Sequence, residues 1–236
     1  MIRFLAVLML AMFAQNPGPS DDGSSAYTTL PTIPYPITSG ATAGTNPYTL
    51  SGVNTAGSTL VVVHATFYEP PAGSVSVVDN CSSTTLTPLG VLQPLNSSDE
   101  FFYELRPSST CSSTSFTMTG GSGAMYGTMW VYPVVGVSGV YDSNLVTATG
   151  TSTCQTAAIN PGSGAHVVFA GLNQEYNSTG TSTISGGYTL SYVPYNAAAT
   201  VGGGVGYLIQ SPGASTQPTW TPSAAFILGC QLLSFH

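Results

Sequence analysis

The chain has 236 residues, enough for one large all-β domain or two small ones, and its 42% hydrophobic content can fill a sizeable core. Two basic residues, Arg3 and Arg106, stand against nine acidic ones, so a phosphate-neutralising groove cannot be assembled and nucleic acid is not an expected partner. Charged residues make up 5% of the chain, against roughly 25% in ordinary soluble domains; Ser, Thr, Gly, Asn and Tyr take over the surface, a composition suited to extracellular settings.

Residues 1–14, "MIRFLAVLMLAMFA", read as a signal peptide: Arg3 precedes an apolar stretch, Phe4 to Phe13, that is too short to span a bilayer. Cleavage is expected after Ala14, leaving no membrane span. Met12 occupies a position where a small residue is usual, so an uncleaved hydrophobic anchor is the alternative. Residues 15–47 form a Pro/Ser-rich segment in which Pro17, Pro19, Pro31, Pro34 and Pro36 fix φ and remove backbone donors. It is expected to be extended, as a linker, an edge strand, or a strand donated to a neighbouring molecule's sheet.

From residue 48 to 236 a single antiparallel β-sandwich domain is expected. Helix signals are nearly absent, and "TLVVVHATFYE", "SVSVVDN", "FFYELR", "SFTMTG", "GTMWVYPVVGV", "AHVVFAGL", "YTLSYV", "GVGYLIQ" and "AAFILGCQLLSF" are short runs rich in Val, Tyr, Phe and Thr between Gly, Pro, Asn and Ser clusters. In the first of these, alternation puts Val61, Val63, Ala65 and Phe67 on one face and His64 and Thr66 on the other, taken as the outer face.

The same order of elements occurs twice. "TLVVVHATF", "SVSVVDN", "FFYELR" and "SFTMTGGSGAMYGTMWVYPVVGV" are followed by "AHVVFAGLNQEY", "GGYTLSYV", "GVGYLIQ" and "STQPTWTPSAAFILGCQLLSF". Two such half-units, each unable to bury its own apolar face, are expected to pack into one two-sheet sandwich of eight or more strands. The four cysteines lack any CxxC pair, so with an export signal two disulfides are the expectation. Keeping each bridge within its own half favours Cys81–Cys111 and Cys154–Cys230 over the other two connectivities.

"TLVVVHATF…SVSVVDN", "MWVYPVVGVSGVYDSN" and "GYLIQSPGASTQPTWTPSAAFILGCQLLSF" resemble a family of secreted bacterial β-sandwich domains, over roughly residues 48–236. The chain departs from that pattern at Cys81, where Gly-Asn follows the Asp-containing strand in the family, and at Tyr132-Pro133, where Glu-Tyr is usual. The resemblance implies a jelly-roll-like sandwich in an extracellular or surface protein and no particular activity.

Side chains capable of chemistry are few. His64 and His166 lie on equivalent strands, but no third ligand accompanies them, so no metal site is expected. Asp99, Glu100 and Glu104 cluster around "FFYELR", yet nothing sets two acids across a cleft as glycosidic hydrolysis requires, and Glu104 is expected to pair with Arg106 at the surface. No G-x-S-x-G elbow is present. Asp79, Asn80, Asp142 and Asn144, read as loop residues, are weak calcium candidates, with Asp142-Ser143-Asn144 carrying a D-x-N pattern. Tyr68, Tyr141, Tyr176 and Tyr195, at strand ends, are candidates for stacking against glycans. Trp130 is read as core and Trp220 as half-buried. Of the sequons at Asn80, Asn96 and Asn177, the first precedes a bridged cysteine, leaving Asn96 and Asn177 as glycosylation candidates.

The expectation is therefore a secreted, non-catalytic, cofactor-free structural or adhesive surface protein, self-assembling into an extracellular filament. A carbohydrate-binding module recognising surface glycans and a virion decoration or fibre protein are the alternatives.

Overall fold

The computed structural model describes residues 30–68, 75–92, 97–105, 110–121, 123–138, 142–160, 164, 166–175, 181–196, 201–210, 214–223 and 227–236. Residues 1–14 lie outside them. Among the described residues every element is a strand, and no helix is long and apolar enough to cross a membrane.

The first half contributes β1 (Thr38–Ala43), β2 (Tyr48–Val53), β3 (Leu60–Tyr68), β4 (Ser76–Asp79), β5 (Thr84–Thr85), β6 (Thr87–Leu92), β7 (Ser97–Leu105), β8 (Thr114–Thr119) and β9 (Tyr126–Val134). They form a five-stranded sheet, β1-β9-β3-β7-β6, and a four-stranded one, β2-β8-β4-β5. The antiparallel pairs β1 with β9, β2 with β8, β3 with β7 and β4 with β5 trace one long hairpin folded back on itself and dealt alternately into two sheets. That is jelly-roll topology. The second half, β10 (Asp142–Gly150), β11 (Cys154–Gln155), β12 (His166–Glu175), β13 (Ser182–Ile184), β14 (Thr189–Asn196), β15 (Val201–Gln210), β16 (Thr219–Pro222) and β17 (Ile227–Phe235), repeats it. Its sheets are β10-β17-β12-β15-β14 and β11-β16-β13, the same order with no described counterpart of β5.

The expected antiparallel β-sandwich class and the internal repetition are thus both present, but the halves do not share one two-sheet sandwich as expected: each closes its own. Val61, Val63, Phe102, Phe116, Met118 and Met129 fill the space between the sheets of the first lobe. Val168, Leu172, Trp220, Leu228, Cys230 and Leu232 do the same in the second. A third core joins the two five-stranded sheets back to back: Leu60, Val62, Phe101, Trp130 and Tyr132 meet Val167, Phe169, Val205, Leu233 and Phe235. The result is four layers, with the small sheets outermost. Near-continuous apolar runs such as "LVVVHATF" follow from this, because a sheet buried on both faces needs no polar side.

Superposing Tyr103 on Tyr207 aligns the halves through their ladders. β3 then matches β12 with Leu60 on Val167, Val62 on Phe169 and His64 on Gly171; β9 matches β17 with Val134 on Phe235; β8 matches β16 by its place in the outer sheet. The counterpart of β14 is β6, with Thr87 on Thr189, and that of β4 is the three-residue β13. The sequence match of "YTLSYV" with "SVSVVDN" was therefore one strand out of place.

Three further differences have physical causes. The Pro/Ser-rich segment supplies β1, an edge strand on β9, with Thr32 bridged to Val135 beyond it; its prolines stop short of the ladder. Asp142 and Asn144 belong to β10 rather than a loop, Asp142 pairing with Ser234 before an irregularity in the ladder. Trp220 is fully buried, since the outer sheet carrying it is itself packed against β17 and β12.

Candidate functional site

Alternation along β3 does separate Val61, Val63, Ala65 and Phe67 from His64 and Thr66, but the second face is not outer. It lies against the second lobe, and His64 and Thr66 are both 0% exposed. Around them the inter-lobe core turns polar: Asp99 and Thr128, the ladder partners of Thr66, share its face, and Gln231 of β17 comes across from the other lobe.

His64 forms an ion pair through Nε2 with Asp99. Its ring lies between Phe101, at 4.5 Å, and Trp130, at 5.3 Å. Thr66 and Thr128 share a hydroxyl hydrogen bond of 2.5 Å. Gln231 Nε2 donates to the Asp99 carbonyl at 3.2 Å and to the Gly90 carbonyl at 3.4 Å, tying the last strand of the chain to β7 and β6 of the other lobe. Burial pushes the Asp99 carboxyl up, and His64 offsets part of that rise. Glu100, on the opposite face of β7, is pushed up to about 7, first by burial and then by the Asp99 charge.

Room for the His64 ring comes from the facing sheet. A Cβ at Gly171 would sit 2.5 Å from His64 Nε2 and 2.8 Å from Phe101 Cε2, and one at Gly203 would press on the Leu172 carbonyl and meet Thr66 Cγ2 at 3.5 Å. One lobe presents bulky polar side chains where the other presents glycines. A His, an Asp and two Thr hydroxyls are the residue types of an acid–base site, and each is sealed from solvent. Their evident chemistry is to fix the register of two sheets.

The other sequence candidates disperse. His166 begins β12 and faces His236, ring centroids 5.7 Å apart, on a different sheet from His64. Asp79 is buried at the end of β4, where Oδ1 accepts from the Cys81 amide at 2.9 Å and the Thr114 hydroxyl at 3.3 Å, closing a turn. It lies in the outer sheet of the first lobe, whereas Asp142 lies in the inner sheet of the second. Among the described residues no three His, Cys, Asp or Glu are grouped as a metal site would need. Glu104 is described and Arg106 is not; Tyr141, Tyr176, Asn96 and Asn177 also lie outside the described residues, as do the side chains of Asn144 and Tyr195. Tyr68 ends β3 opposite Tyr126, partly buried. Asn80 spends its amide on Ser115 Oγ at 2.8 Å and Thr117 Oγ1 at 2.9 Å.

Both disulfides join the pairs favoured from the sequence. Cys81–Cys111 closes the rim of the first outer sheet, beside a shallow depression lined by Ser51, Asn80, Thr114 and Ser115. Cys154–Cys230 ties the second outer sheet to β17 from within the core. Two bridges in a chain without free described cysteines mark an oxidising compartment.

Among the described residues, what the outer sheets turn to solvent is hydroxyl and amide apart from Val78. Thr49, Ser51, Thr85, Asn80 and Thr119 are exposed on the first, and Gln155, Thr183, Ser185 and Thr221 on the second. No protein-family model, curated protein or solved structure matches this chain.

Proposed function

We propose that the protein is a secreted, non-catalytic adhesive module that works by presenting surface rather than by transforming a substrate. The observation that carries this reading is the placement of reactive groups: His64, Asp99 and Glu100 are packed away inside, while the outer sheets expose uncharged hydroxyls. The disulfides and the leader-like N-terminus support export. Filament growth by strand donation draws less support, because residues 38–43 are spent on their own sheet.

The test incubates the purified, oxidised protein with insoluble surfaces (cellulose, chitin, alginate gel, collagen) and with chromogenic glycosidase, esterase and peptidase substrates. Retention on at least one surface without product release is expected. Turnover abolished by His64→Ala or Asp99→Asn in a folded protein would overturn the reading.

A further inference from the structure

Among the described residues, the outward faces of the two small sheets are used neither by the cores of the fold nor by the contact between lobes. On the first, Thr49, Thr117, Val78 and Thr85 stand in one row across four strands; Ser51 with Ser115, and Thr119 with Ser76, flank it. The row is ordered by its own hydrogen bonds, Thr49 to Thr117 at 3.0 Å and Asn80 to both Thr117 and Ser115. On the second, Gln155, Thr219 and Ser185 line up, with Thr221 beside Thr183 in the next row. Gln155 Nε2 donates to Thr219 Oγ1 at 2.6 Å.

These faces correspond strand by strand. Thr117 and Thr119 flank buried Met118 as Thr219 and Thr221 flank buried Trp220, on strands that the ladders make equivalent. Thr-x-Thr recurs on the equivalent strand of the two halves, flanking a buried residue in each, and β-propensity favours threonine on both strands. Among the described residues neither face carries an ionisable or aromatic side chain, and Val78 is the one apolar member.

We propose that each face is a binding surface for a neutral, insoluble polysaccharide, and that one molecule joins two such polymers because the faces look in opposite directions. This rests on the adhesive reading above. A protein partner would call for an apolar, aromatic-rich patch centre, which both faces lack. A neutral glycan matches them, because hydroxyls donate and accept alike and no charge has to be stripped of water on either side. Rows lie about 4.8 Å apart across strands and about 6.8 Å apart along them, a flat lattice fitted to an extended solid. Single hydroxyl contacts contribute only about 1 kcal/mol net, so retention depends on many of them at once.

The experiment measures co-sedimentation with microcrystalline cellulose and with chitin, and bundling of dispersed cellulose fibrils by light scattering, with alginate as the anionic control. Thr117→Val/Thr119→Val and Thr219→Val/Thr221→Val keep β-branched shape while removing hydroxyls, and thermal unfolding verifies that each variant folds. Wild type is expected on at least one neutral polymer and to bundle fibrils. Each two-site variant should retain about half the binding and lose bundling, and the four-site variant should bind at least tenfold more weakly, a loss of about 1.4 kcal/mol or more. Equal retention of a folded four-site variant, bundling by either two-site variant, or equal retention on alginate would overturn this inference and leave the adhesive reading standing. Wild type retained on none of the surfaces would end both.

Discussion

Gly171→Ala probes the joint between the lobes at its tightest point. The added methyl would lie 2.5 Å from His64 Nε2, 2.8 Å from Phe101 Cε2 and 3.0 Å from His64 Cδ2. Non-bonded carbon contacts relax near 3.5–4 Å, so either the two sheets part by roughly 1 Å or the imidazole turns away. Parting the sheets is overpacking, costing about 1–3 kcal/mol. Turning the ring separates His64 from Asp99, and breaking a buried pair costs about 3–5 kcal/mol. The chain takes the cheaper route, which places the loss at about 1–3 kcal/mol. Urea unfolding should show a lower midpoint at unchanged slope. Repeating the substitution in a His64→Ala background isolates the cause: its cost should shrink by at least about 1 kcal/mol, the Phe101 contact keeping it above zero. A loss under about 0.5 kcal/mol, or the same loss in both backgrounds, would refute the knob-and-hole account of the joint.

Glu100 holds its proton up to about 7 when folded and releases it near 4.5 when unfolded, so between those values the folded form binds more protons. Stability is then greatest below about pH 4.5 and falls as pH rises toward 7; Asp99, also raised, acts in the same sense. Urea midpoints should drop from pH 4.5 to 7.5, and drop less in Glu100→Gln; a rising wild-type midpoint would contradict this. Replacing Cys154 and Cys230 together by Ala releases a 76-residue separation worth about 4 kcal/mol in chain entropy and loosens a bridge buried in the second core. The Cys81/Cys111 double variant, a 30-residue separation at a partly exposed rim, should lose less; equal shifts in melting temperature would count against the difference. Deleting residues 227–236 removes the strand between β10 and β12 and takes Leu233 and Phe235 from the joint. Loss of near-ultraviolet circular dichroism is expected, and a truncated protein with native signal would show β17 to be dispensable.

Strand identity was most legible in the apolar runs of β3, β7, β9, β12, β15 and β17, which lie in the two inner sheets. The half-to-half pairing of cysteines was legible for a related reason, each bridge serving one lobe. β1, "TSGATA", has no such signal; it is held by β9 rather than by its own propensity. β13 is three residues long and could not be told from a turn, which is why β14 took its place in the repeat. For His64 the period was right and the environment was not, because alternation names faces without saying what covers them. The hints were Gly171 within β12 and the glycines of β15, "VGGGVGYLIQ": glycines in a strand interior signal a close approach by something across the way. The Thr-x-Thr correspondence was in the sequence throughout, but without the ladders nothing singled those threonines out from the rest.

The position shared by His64 and Gly171 also bears on how two similar halves came to differ. When two identical subunits meet about a twofold axis, a residue at the axis faces its own copy, so that whatever it is, it must tolerate itself. Histidine against histidine would collide here, and glycine against glycine would leave a void. Linked in one polypeptide, the halves are free of that rule: one side carries the side chain and the other the space for it, so the joint suits this pair of lobes better than either lobe with its twin.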